Sequence, residues 1–322
     1  MSTPHTWEWD AADGVYKNNF LSNDLLVQSV AKLKVVRFTK PFSGFGKKRG
    51  EYVNIFHVKE LADPTSSQLA EDDKMPMDKL VMGQRVIRVV PFGRGVSFTH
   101  LSELLGKFDP NDYIQAALMR QMQRSLDTNA AAAFKDSTAV KICFIPTGIS
   151  TGTFDVDGTP STLATSNLTF DHMGILADYL AGDIHCPPWE GEDFMMLSCR
   201  KNLRGLKSDA LWQQVHLYLQ KGELFFNGEV GKAENIRCIQ VDRDAAFANS
   251  AGNSTKLGEA VLFGDEAVIR IDVEAPHLRA EPNLGQNFGL LKGVAWYGVM
   301  AFSSLWETAT DGEAKIIRIT SS

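Results

Sequence analysis

The chain is poor in cysteine. Its 322 residues include only Cys143, Cys186, Cys199 and Cys238, with no Cys-x-x-Cys pair among them. A disulfide framework is not expected, and His185, Cys186 and Cys199 fit no zinc-ligand spacing, so the four are read as reduced, buried thiols. Long hydrophobic runs are missing too: the most apolar stretch, "LLKGVAWYGVMAF" (Leu290–Phe302), contains Lys292 and is too short to cross a bilayer as a helix. The opening "MSTPHTWEWDAADG" has no basic cluster and no apolar run, so no secretory signal is read and a soluble, cytoplasmically made protein is expected. Net positive charge is absent as well. With 33 Lys and Arg against 39 Asp and Glu the balance is −6, the wrong sign for a surface dedicated to nucleic acid. There is no Gly-x-Ser-x-Gly elbow, no His-Glu-x-x-His, no dinucleotide-type glycine loop and no internal repeat. "SGFGKKRG" (43–50) has a phosphate-loop look, but Pro41 stands where the first glycine belongs and Lys48 where the hydroxyl belongs.

What remains is an ordinary globular composition, 44% hydrophobic and 22% charged, long enough for two lobes or one elaborated domain. One motif stands out. In "TFDVDGTPST" (Thr153–Thr162), Asp155-x-Asp157-Gly158-Thr159 matches the signature of haloacid-dehalogenase-type phosphotransferases, where the first Asp attacks phosphorus and the second handles the leaving-group proton. That chemistry needs the motif to leave the carboxyl end of a buried parallel strand, with magnesium alongside. The preceding "IPTGISTGTF" reads as a loop, no β-α alternation follows, and a second acidic motif is only echoed in "FGDEAV". Asp-Gly among hydroxyls is also ordinary turn chemistry. A magnesium-dependent phosphohydrolase using Asp155 and Asp157 is therefore kept as the alternative to a structural role.

Along the chain, Trp7, Trp9, Tyr16 and Phe20 punctuate a polar segment without a steady period, which suits an arm that docks on another surface. From Lys32 to Arg49 every charge is positive. "GEYVNIFHV" and "KLVMGQRVIRVVPF" alternate as strands, with Gly83 expected as a bend, and the acidic stretch 60–78 joins them. Two strands on so long a loop suit a projecting flap that needs a partner surface. Asp109 as N-cap and Pro110 at the first position begin a helix that runs to Phe134, with Ile114, Ala117, Leu118, Met122 and Leu126 on its apolar face. A second helix gathers Met173, Leu176, Ala177 and Leu180, and a third gathers Trp212, Val215, His216 and Leu219. Strands are expected at 193–199, 235–241, 266–274 and 314–322, giving an α+β chain.

This order of parts resembles a tailed-bacteriophage major capsid protein of the Hong Kong 97 type (HK-97-like fold). "EDDKMPMDKLVMGQRVIRVVPFGRGVSFTHLSE" (Glu71–Glu103), "LFFNGEVGKAENIRCIQVD", "VLFGDEAVIRI" and "GLLKGVAWYGVMAFSSLW" are similar, in that order, to the N-four-like phage capsid family. The resemblance implies an N-terminal arm over 1–46, an E-loop hairpin over 47–100 and a P-domain with its long spine helix over 101–154. An A-domain over 155–265 and a return to the P-domain over 266–322 complete it. It further implies a shell subunit that forms hexameric and pentameric capsomers around double-stranded DNA, with portal, scaffold or decoration proteins as further partners and the virion as its location. It carries no catalytic, cofactor-binding or metal-ligating residue. Candidate subunit-interface residues are Trp7, Trp9, Lys47, Lys48, Arg49, Asp72 and Asp73; a non-viral encapsulating shell of the same fold fits equally.

Overall fold

The computed structural model describes residues 34–58, 61, 68–69, 71, 74–105, 110–218, 229–253, 255–282, 285, 288–306 and 313–322. Trp7, Trp9, Asp72, Asp73, Asp109 and Leu219 lie outside them, as does the side chain of His216. The chain divides into two compact units. One takes the described part of Met1–Val53 with Arg88–Ala130 and Arg270–Phe302; the other takes Asn54–Ile87, Ala131–Ile269 and Ser303–Ser322. The five-segment division expected from the sequence is a different partition and is taken up as a proposal below.

The first unit is built on a four-stranded sheet. Its strands are β1 (Lys40–Phe42), β11 (Val268–Glu281), β12 (Leu291–Ser304) and β4 (Val90–Thr99), in that spatial order. β4 and β12 run antiparallel from Thr99 opposite Leu291 to Val90 opposite Met300. In β12, Val294, Trp296 and Met300 are buried at even spacing, the period-two signature of a sheet with one covered face. Helix α1 (His100–Leu105) follows β4, and helix α2 (Pro110–Phe134) comes next. α2 begins on Pro110, whose missing N–H is harmless in the first turn, and meets no glycine over 25 residues. Ile114, Leu118, Met122 and Leu126 are buried along it. Ala117, expected among them, is exposed. At about 100° per residue it falls roughly 120° from the centre of that stripe. Asp127 on the same helix accepts the amides of Lys34, Val35 and Val36 at 3.2–3.4 Å, which holds the short turn Val36–Phe38.

The second unit centres on a seven-stranded sheet in the order β6-β5-β13-β10-β7-β9-β8. Its strands are β5 (Ile142–Pro146), β6 (Gly152–Asp155), β7 (Phe194–Ser198), β8 (Glu229–Ala233), β9 (Ile236–Gln240), β10 (Ala260–Phe263) and β13 (Ile316–Ile319). β13 pairs with β5 and β7 with β9 in parallel, whereas β10 runs antiparallel to both β13 and β7. Every residue of β5, β7 and β10 is buried, as continuous apolar runs require when both sheet faces are covered. Ala260 and Leu262 share a core with Met173, Leu176, Leu180, Leu203, Leu206 and Trp212, while Phe263 on the opposite face meets Phe134 with ring centroids 4.8 Å apart. Those helical residues come from α3 (Phe170–Asp178) with its π-turn (Tyr179–Asp183), α4 (Arg200–Ser208) and α5 (Ala210–Tyr218). Helix α4 was not legible: it carries Gly205 and four cations, and only Leu203, Leu206 and Asn202 are buried. Val215, expected beside Trp212, is exposed; among the described side chains of α5 only Trp212 is buried.

This unit also holds a separate two-stranded sheet, β2 (Tyr52–Val58) with β3 (Met82–Arg88). Gly83 sits inside β3 and is not a bend; the break comes at Val89, whose amide donates to Glu51 O at 2.9 Å.

Candidate functional site

The Asp155-x-Asp157-Gly158-Thr159 loop lies at the end of β6, an edge strand antiparallel to β5. A strand is present where the sequence read a loop, because Thr153 and Phe154 pair with Ile145 and Phe144. It is not the buried parallel strand that phosphoryl transfer requires. The carboxylates are occupied by their own turn. Asp157 accepts from the Thr159 amide at 2.8 Å and its hydroxyl at 2.9 Å, which hold its pKa below the ordinary range. Asp155 accepts from the Ser161 amide at 2.8 Å and hydroxyl at 2.9 Å. Gly158, at φ +92°, gives its carbonyl to Arg318 and its amide to Lys141 O. The arrangement is a hydrogen-bonded turn.

Other chemistry is equally sparse. All four cysteines are buried free thiols. Burial pushes every one of them up, Cys186 to about 12, so none is a poised thiolate. Cys186 lines an open cleft of about 560 Å³ whose rim carries Asp178, Glu192 and Glu234. Among the described residues no group of three His, Cys, Asp or Glu is placed to hold a metal ion. No described helix is long and apolar enough to cross a membrane.

The unusual surface is the β2–β3 hairpin. Strand alternation turns Tyr52, Phe56 and Val58 outward at 56%, 64% and 52% exposure, and Met82 and Val86 at 62% and 53%. The connecting stretch adds Leu61, Leu69, Met75, Met77 and Leu80, with Met77 at 90%. Both strands therefore turn several large apolar side chains outward, between Asn54, Gln84 and Arg88, and the described residues leave them in water. The sequence had pointed to the acids of this flap; the apolar residues carry the signal, and the alternation of Tyr52, Phe56 and Val58 with the methionines at 75 and 77 already contained it. Of the named candidates, Lys47, Lys48 and Arg49 are exposed on the turn between β1 and β2. Lys48 has φ +67°, and Arg49 Nη1 donates to Gly44 O at 2.6 Å, which leaves the two lysines facing outward on a tied turn.

No family model matches the chain, and no curated protein does. Solved structures do. The chain superposes on the subunit of a cyanophage Pam1 capsid with a TM-score of 0.66 at 13% identity, over 88% of each chain. It superposes on the capsid of Ralstonia phage GP4 at 0.64 and 12% identity, covering 88% of this chain and 87% of that one. The capsid of Helicobacter pylori bacteriophage KHP30 gives 0.61 at 11% identity, over 86% and 87%. The chain has the α+β fold of these phage capsid subunits, the Hong Kong 97 type.

Proposed function

We propose that this chain is the major capsid protein of a tailed bacteriophage, a subunit that assembles with its own copies into the icosahedral shell enclosing the phage genome. The observation that carries the reading is the extent of the likeness: capsid subunits and this chain agree over nearly nine-tenths of both lengths, so the match covers the whole architecture rather than a shared motif. The β2–β3 hairpin supports it independently, because its outward apolar face has a use only if another surface covers it. In this reading 1–46 is the arm, 47–100 the E-loop, 101–154 the P-domain with α2 as spine helix, 155–265 the A-domain and 266–322 the return to the P-domain. Hexameric and pentameric capsomers form by heterologous contacts that close into rings. Trp7 and Trp9 dock the arm on a neighbour, and Lys47, Lys48 and Arg49 set register against Asp72 and Asp73 of an adjacent copy. The protein is made in the host cytoplasm and ends in the virion; portal, scaffold or decoration proteins join the same shell. A net charge of −6 suits a wall that contains DNA without gripping it. The role is structural and not enzymatic.

Electron microscopy of the purified chain tests this. Closed shells, rings or capsomers are expected, and a uniform population of small monomers at high concentration overturns the reading.

A further inference from the structure

An outward apolar face is useful only if it is aimed, and a two-stranded hairpin is too small to hold a direction unaided. The second unit contains a contact suited to holding it. His57, on the inner face of β2, lies against the indole of Trp306 with ring centroids 5.0 Å apart and planes at 59°. Gly83, across from it on β3, makes the space: a Cβ there would sit 2.2 Å from His57 Nε2. The imidazole is therefore packed between a bare backbone and the indole.

Trp306 is itself held from several sides. Its Nε1 donates to Glu266 O at 3.1 Å, and the Lys315 ammonium sits 4.2 Å from its ring centroid. Lys315 is 7% exposed and lies 3.8 Å from the Glu266 carboxylate. A buried ammonium needs such a carboxylate and aromatic face, so Lys315 fixes the indole as much as the indole shelters it. Ala139, Val140, Ala314 and Ile316 line the same place and leave a gap of only about 10 Å³. A second tie stands beside the first, since Arg85 on the inner face of β3 reaches Asp136 at 3.8 Å.

We propose that Trp306, seated by Lys315 and Glu266, is a latch that fastens the β2–β3 hairpin to the seven-stranded body through His57 and so sets the hairpin's direction before any neighbour is met. The latch is a property of the single chain; only its consequence for assembly rests on the shell reading. Three features would be accidental without it. A glycine occupies the second position of β3, where it weakens a sheet. A lysine is buried for no catalytic end. A tryptophan is tied by its one donor to a carbonyl remote in sequence.

Hydrogen exchange on the unassembled chain tests the latch. In Trp306→Ala, amides of 52–58 and 82–88 should exchange about tenfold faster or more, while those of β5, β7, β10 and β13 stay as in the parent. Trp306→Phe keeps a ring for His57 and Lys315 and should restore most of the protection. Gly83→Ala changes only the hairpin side and should loosen the same amides even if Trp306→Ala does not fold. Unchanged hairpin exchange in Gly83→Ala, or in a folded Trp306→Ala, overturns the proposal. Particle formation is scored separately on the same variants. Parent particles with few or misshapen particles from Gly83→Ala support the consequence for assembly. A parent chain that stays a uniform small monomer sinks the shell reading while the exchange data still decide the latch.

Discussion

At the scale of single residues, charge is placed to close turns and cover donors. Asp155 accepts only from Ser161 of its own loop among the described contacts, and asparagine retains that capacity. Asp155→Asn should shift stability by no more than about 0.5 kcal/mol in urea unfolding. A magnesium-dependent phosphatase activity in the parent that disappears in this variant would reinstate the enzymatic alternative. Asp193 is different. It is 5% exposed and receives Arg237 Nε at 2.7 Å and Lys232 Nζ at 2.6 Å. The Arg237 side chain is itself only 13% exposed, so Asp193→Ala removes its nearest carboxylate and leaves the covered guanidinium only the longer contact to Glu229 at 3.7 Å among the described ion pairs. A loss of about 3 kcal/mol in the unfolding free energy from urea titration is expected, far above the effect at Asp155. The two acids look alike in the sequence; burial separates them, and burial is not written in local spacing.

At the scale of elements, the start of α3 contains a pH-sensitive cap. His172 Nδ1 accepts from the Thr169 amide at 3.1 Å while its Nε2 meets Thr151 O at 3.1 Å, which assigns the proton to Nε2. Burial holds the pKa of His172 below its usual 6.5, against hydrogen bonds to the Thr151 and Gly148 backbone that favour the charged ring. Below pH 6.5 the unfolded chain therefore takes up a proton that the folded chain resists, and stability falls with acidification until the folded pKa is passed. Comparing urea midpoints at about pH 7.5 and 5.5 should show that fall. His172→Gln offers an acceptor of the capping-box kind at the same position, so it should keep the helix and flatten the pH step. A step of equal size in the variant would assign it to other groups.

How much of the fold was legible follows from the same elements. Helix α2 could be read because Pro110, an unbroken run of helix formers and the apolar stripe agree. β7, β9 and β13 could be read as dense apolar or β-branched runs. Helix α4 could not, since only two leucines mark its buried side and its four cations dominate a nine-residue run. Gly83 misled because its reason is a ring from another strand, and the hairpin's apolar face was passed over because charge in the joining loop is more conspicuous than methionine.

At the scale of the whole molecule, the flap separates an assembling subunit from a self-sufficient one. Residues 62–78 replaced by a short turn between Val58 and Lys79 should leave circular dichroism unchanged, because the closure entropy of a surface loop changes by only about 0.6 kcal/mol per doubling of length. Sedimentation of the same sample should show lost or fragile particles, and charge reversal of Asp72 and Asp73 to Lys should weaken them most at low salt, where screening is least. Normal particles from the deletion would mean that the flap is dispensable.

The position of β13 carries a further consequence, in time rather than space. Ile316–Ile319 lies inside the seven-stranded sheet, with β5 on one side and β10 on the other, so both neighbours are translated well before it. A ribosome that has read as far as Lys315 has made the other six strands of that sheet and still cannot close it. Until the last strand arrives, β5 and β10 have open edges that invite wrong pairings. Nascent chains thus wait, incompletely folded, until that strand has been translated. On the shell reading proposed above, a body built this way becomes competent to meet other copies only after readout through Ile319.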